Sequence, residues 1–151
     1  MRFLAANERL PEGLRIKAWY EKPERLTKTL AALALSATYE FMCDGVADAQ
    51  EKLEVFFGHD KVLALQRDKK TGGNKEVDIR PLMCSYQIRK FMRGRLLAEA
   101  TLSAAPSRTL NPRAFFSAFC EYNGLDASIL SPIITRTAIL GADGRALREV
   151  L

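Results

Sequence analysis

The chain has 151 residues, 48% hydrophobic and 27% charged, with a formal net charge of +5, which fits one domain with a real core and excludes a disordered chain or a fibrous repeat. Its longest apolar stretch, Leu30 to Leu35, falls far short of the ~20 residues a membrane-spanning helix needs, and Arg2, Glu8 and Arg9 break up any secretory signal at the start. Three cysteines, Cys43, Cys84 and Cys120, are odd in number and widely spaced. They offer neither a disulfide framework nor paired zinc ligands nor a Cys-x3-Cys-x2-Cys cluster motif, and are expected as small core residues of a cytoplasmic protein.

In chain order, Arg2 to Arg9 reads as a helix fragment stopped at Leu10-Pro11, with Gly13 available for a reversal. Leu14, Ile16, Ala18 and Tyr20 alternate with polar neighbours and predict a strand closed by Pro23. Leu26, Leu30, Leu33 and Ala34 recur at helical spacing over roughly residues 24 to 36. Tyr39, Phe41 and Cys43 mark a strand over 37–43, and Asp44 is expected to cap a helix running through Phe57 to Gly58. Lys61 to Arg67 and Lys75 to Arg80 form a hairpin around Thr71-Gly72-Gly73-Asn74. Residues 82–90 and 95–104 form a second hairpin bent at Gly94, with Leu82, Cys84, Tyr86 and Ile88 inward. Asn111-Pro112 begins a helix carrying Phe115, Phe116, Phe119 and Cys120, which Asn123-Gly124 ends. Ile133 to Leu140 is the last strand, Ala142-Asp143-Gly144 a turn, and Arg145 to Leu151 a frayed strand or loop.

From Ala37 onward this order is the split βαβ pattern of ferredoxin-like domains. The expected fold is therefore α+β: a mainly antiparallel sheet of more than four strands, enlarged by the extra hairpin and the leading strand, with helices on one face. One domain covers residues 1–151, since no linker or repeat divides them.

Residues 61–95 hold ten basic side chains against three acidic ones, whereas 1–60 hold eight against ten and 96–151 five against five. The basic character therefore sits in two hairpins, and Arg67, Lys69, Lys70, Lys75, Arg80, Arg89, Lys90, Arg93 and Arg95 are the candidate phosphate contacts. Tyr86 and Phe91 are candidate base-stacking rings. The string Lys75-Glu76-Val77-Asp78-Ile79-Arg80-Pro81-Leu82 sets Asp78 and Arg80 on one strand face, where they can pair with each other or orient Arg80 toward an anion. His59, the single histidine, follows Gly58 and is expected in a solvent-facing turn. The acidic residues of 37–60 read as cap and helix-face charges, no phosphate-loop or dinucleotide glycine motif occurs, and neither a catalytic constellation nor a metal site is expected.

Around that string the sequence resembles a bacterial family, the radical SAM-linked domain of unknown function, found fused to or beside radical SAM proteins with a cobalamin-binding-like domain. The resemblance lies in Leu10-Pro11-Glu12-Gly13-Leu14-Arg15-Ile16, Ala37-Thr38-Tyr39, Lys75 to Leu82, Asn111-Pro112 and Thr135-Arg136-Thr137, and Asp78-Ile79-Arg80-Pro81 is its most specific part. The family's Ser-His-Leu-Asp-like segment has no counterpart here, so the resemblance implies the C-terminal portion of such a domain. It also implies an accessory role beside a radical SAM enzyme, with RNA or a ribosome-related particle as target. The iron–sulfur cluster and S-adenosylmethionine would belong to the partner, leaving no cofactor in this chain. The expected function is thus a non-catalytic RNA-binding accessory module; the alternatives are a docking module for the radical SAM protein and a metal-independent nuclease using His59.

Overall fold

A computed structural model describes residues 2–18, 29–68, 70–92 and 95–150. Strand β1 (Ser36–Asp44) lies centrally, with β5 (Arg95–Ala105) on one side and β7 (Ile133–Leu140) on the other, while β4 (Met83–Met92) flanks β5. Every neighbouring pair in the order β4-β5-β1-β7 is antiparallel. With α3 (Ala49–Gly58) after β1 and α4 (Pro112–Tyr122) after β5, this is the split βαβ arrangement: β1 and β4 are parallel, with β5 inserted between them. The short β6 (Arg108–Thr109) folds back onto the end of β5.

Alternation decides which face is covered. Phe41 on β1 registers with Ala98 and Ile134, and Ala100 on β5 registers with Tyr39 and Tyr86, so these residues share the face on which both helices lie. Phe41 packs 5.5 Å from Phe115 and 6.1 Å from Phe116, while the fully buried Phe56 of α3 meets Phe115, Phe119 and Tyr122 at 5.6–5.7 Å. Tilted and edge-on geometries, with a stacked one between Phe41 and Phe116, tie α3, α4 and β1 into one core. The Asn111 side chain accepts from the Arg113 amide at 2.8 Å, capping α4 as its sequence predicts, and Gly124 at φ 63° ends it.

Several expectations are corrected. The hairpin of β2 (Leu63–Arg67) and β3 (Asn74–Asp78) makes a separate two-stranded sheet instead of widening the main one, and β2 packs on α4. Residues 14–18 form no ladder: Leu14 stays 63% exposed, and Ile16 exchanges both backbone bonds with the Asn7 side chain of α1 (Arg2–Asn7) in place of a strand partner. Residues 19–23 of that expected strand and 24–28 of the helix expected over 24–36 lie outside the described residues; of the remaining 29–36 only Leu30–Leu33 is helical, as α2, and Ser36 already begins β1. Asp44 does not cap α3. Gly45 at φ 81° turns the chain and Val46 plunges into the core before the helix begins, leaving Asp44 as the exposed end of β1. Cys84 is exposed because the β4–β5 register shifts between Met83 and Ser85, which turns Met83 inward in its place. Besides β6 and a 3-10 turn over Arg80–Leu82, two helices were not anticipated: α5 (Ala127–Leu130), capped by the Asp126 carboxylate, and α6 (Leu147–Val150), where a frayed tail was expected.

Candidate polyanion interface

The β2–β3 hairpin is built so that its tip is fixed and its cations project. Asp68 receives the Lys70 amide at 2.8 Å, and the Asp68 amide donates to the Gly73 carbonyl at 2.7 Å. The bond from the Lys70 amide, with a further contribution from the Lys75 charge, holds the Asp68 carboxyl below its usual range. This carboxylate is thus committed to the turn, and Gly72 supplies the φ of 73° that closes it. Arg67, Lys70 and Lys75 are exposed around it.

Beside this tip lies an open groove of about 590 Å³, lined by Gln66, Arg67 and Gly72 from the hairpin and by Thr109, Asn111 and Ala114 from β6 and the start of α4. Arg108 and Arg113, both exposed, are the sequence neighbours of the lining residues Thr109 and Ala114. Sequence reasoning had not connected these two arginines with the hairpin; the recoverable signal was Pro112 at the first helical position, which fixes where α4 begins. Arg67 is thus the one cation in the groove's described lining, and exposed Lys70, Lys75, Arg108 and Arg113 lie close to lining residues in sequence.

The second basic hairpin does not join them. Thr109 registers with Ala104 near one end of β5, whereas Arg95 begins the strand nine residues earlier, about 30 Å away at about 3.3 Å per residue. Its described arginines are also engaged: Arg95 pairs with Asp44 at 2.8 Å and Arg89 holds both oxygens of Glu99 at 3.0 and 3.1 Å. Arg95 accordingly keeps the Asp44 carboxyl below its normal range, mainly through that hydrogen bond. Lys69, Arg93 and Gly94 lie outside the described residues, as do the side chains of Lys90 and Phe91.

Arg80 and Asp78 do not face each other as an ion pair. Arg80 donates from Nε to the His59 carbonyl at 3.0 Å and from Nη1 to the Met83 carbonyl at 3.2 Å, with its guanidinium 5.9 Å from the centre of the Phe57 ring. Asp78 uses one oxygen to accept the Val62 amide at 3.0 Å and the Arg80 amide at 3.1 Å. The Asp78-Ile79-Arg80-Pro81 string is thereby a clamp joining the hairpin base, the end of α3 and the start of β4, around the fully buried Ile79.

Tyr86 stacks inward, 4.5 Å from Phe57, on the helix-covered face. Burial, with help from the Glu54 charge, raises its pKa, and the ring is not available as an open stacking platform. His59 is exposed in the turn after α3, edge-on to Tyr122 at 5.0 Å. Among the described residues no three of His, Cys, Asp and Glu gather as metal ligands, and no helix is long and apolar enough to cross a membrane.

Comparison with curated proteins and with solved structures found no match to the chain. A family model described as an uncharacterized protein conserved in bacteria (DUF2344) matches residues 4–112, a span that includes the clamp string and both hairpins. The chain belongs to that bacterial family.

Proposed function

We propose that the chain is a non-catalytic accessory module that binds RNA, free or within a ribonucleoprotein, through the groove beside the β2–β3 hairpin. We further propose that it works beside a radical SAM enzyme, which carries the iron–sulfur cluster and S-adenosylmethionine. The observation that supports RNA binding is the groove itself, lined by Arg67, with the Asp68 carboxylate of its lining committed to the turn and exposed Lys70, Lys75, Arg108 and Arg113 within a few residues of its lining in sequence. Such an array favours a polyanion because each phosphate contact releases condensed counterions. The radical SAM partner rests on the sequence resemblance alone. A second reading has the same groove docking an acidic surface of that enzyme.

The test is a mobility shift with RNA at rising salt. Replacing Arg67, Lys70 and Lys75 together by Ala is expected to flatten the salt dependence of log affinity by about 2 to 3 units of slope, at roughly 0.7–0.9 per lost contact. Replacing Arg95, already paired with Asp44, is expected to change it little. Absence of RNA binding at low salt, or equal binding by the triple variant, would overturn the reading. In that case, nuclease-resistant co-purification with the radical SAM enzyme would favour docking.

A further inference from the structure

Split βαβ domains that bind single-stranded RNA do so on the open sheet face, where exposed aromatic rings stack on splayed bases. The sheet face opposite α3 and α4 is chemically unsuited to that. One row across it reads Gln87, Glu99, Glu40 and Thr135. Glu40 stands directly opposite Glu99, a cross-strand position where like charges repel, and Arg89 neutralises Glu99 alone. A phosphate backbone laid over this row meets a carboxylate at its centre. The rings of β1 and β4 that are described, Tyr39, Phe41 and Tyr86, instead pack toward the core.

The groove has the opposite character. Its described lining combines the Arg67 guanidinium, the amides of Gln66 and Asn111, the Thr109 hydroxyl, the aliphatic side chains of Leu65 and Ala114, and the Asp68 carboxylate already held by the Lys70 amide, with no ring on which an extruded base can stack. Amides and hydroxyls both donate and accept, which suits ribose 2′-hydroxyls. The Arg67 guanidinium in the lining, with exposed Lys70, Lys75, Arg108 and Arg113 near the lining residues in sequence, suits phosphates. In an RNA duplex the bases are already stacked on one another, and the wide shallow minor groove displays 2′-hydroxyls and base edges between its flanking phosphates, so a duplex binder can rely on 2′-hydroxyl and phosphate contacts. We infer that the groove reads the sugar–phosphate backbone of base-paired RNA, with little regard to base identity. This rests on the RNA-binding reading above and specifies its substrate class.

The experiment is competition against a fluorescein-labelled RNA duplex of about 16 base pairs, the length typical of a shape-reading duplex binder, followed by anisotropy with the full chain at low salt. Duplexes of different sequence are expected to compete within about threefold of one another, and a single strand of equal length that cannot self-pair about tenfold more weakly. Glu40→Gln, a conservative change on that sheet face, is expected to shift affinity less than about twofold. A single strand that competes better than duplex, or a tenfold gain on Glu40→Gln, overturns this inference while leaving RNA binding in place. Failure of every RNA to bind overturns the RNA-binding reading, and the inference with it.

Discussion

Replacing Asp78 by Ala tests whether the most distinctive string in the sequence is a structural clamp. One carboxylate oxygen accepts from Val62 at 3.0 Å and from Arg80 at 3.1 Å, and Val62 is fully buried. A hydrogen bond to a charged acceptor contributes about 1.5–3 kcal/mol, and an orphaned buried amide costs about 1–3 kcal/mol. The Val62 amide is shut away while the Arg80 amide has partial access to water, so the two together predict a loss of about 3 kcal/mol. Asp78→Asn keeps an oxygen able to accept both bonds and is expected to lose about 1 kcal/mol. Urea unfolding followed by circular dichroism measures both. If Asp78→Ala unfolds within about 0.5 kcal/mol of the parent, as an ordinary surface substitution does, the clamp is wrong and Asp78 is free for another role.

Phe56→Ala removes the ring that meets Phe115, Phe119 and Tyr122, and a loss of about 3–5 kcal/mol in the same unfolding assay is expected from the cavity it leaves. In Cys120, burial, with smaller contributions from Cys43 and Asp126, raises the thiol pKa from 9.0 to about 11. The folded chain then holds its proton where the unfolded chain has lost it, so this group's stabilisation is complete below pH 9.0 and fades as pH climbs toward about 11. Unfolding free energies measured across that window are expected to fall less steeply for Cys120→Ala than for the parent chain.

How much of this was legible beforehand depended on whether the deciding force was local. The strand alternation around Phe41, the Asn111-Pro112 cap and the Gly58 stop act within a few residues, and β1, α4 and the end of α3 follow them closely. The alternation from Leu14 to Ala18 is equally regular, but a strand also requires a neighbour to bond, and Asn7 fills that role instead. Cys84 faces solvent because of a register shift set by β5, which no local pattern encodes.

The charge surplus in 61–95 was visible as composition, yet its division was not. The ten residues of β4 carry the chain from one end of the sheet to the other, so Arg80 and Arg95, which fall in one basic stretch of the sequence, end up at opposite ends of that strand. Thr109, Asn111 and Ala114, distant in sequence, instead join Arg67 in lining the groove, next in the chain to exposed Arg108 and Arg113. Ion pairing by Glu99 and Asp44 then removes Arg89 and Arg95 from the pool of unengaged cations, and that pairing depends on strand register alone.

The central claim is the location of the polyanion site, and amide chemical-shift mapping during titration of the labelled chain with an RNA duplex tests it most directly. The account predicts that the largest changes fall at Gln66, Arg67, Lys70 and Gly72 together with Thr109 and Asn111, and that Glu40, Glu99 and Thr135 barely move. Changes centred on the sheet face opposite α3 and α4, or an unaltered spectrum at low salt, would contradict it.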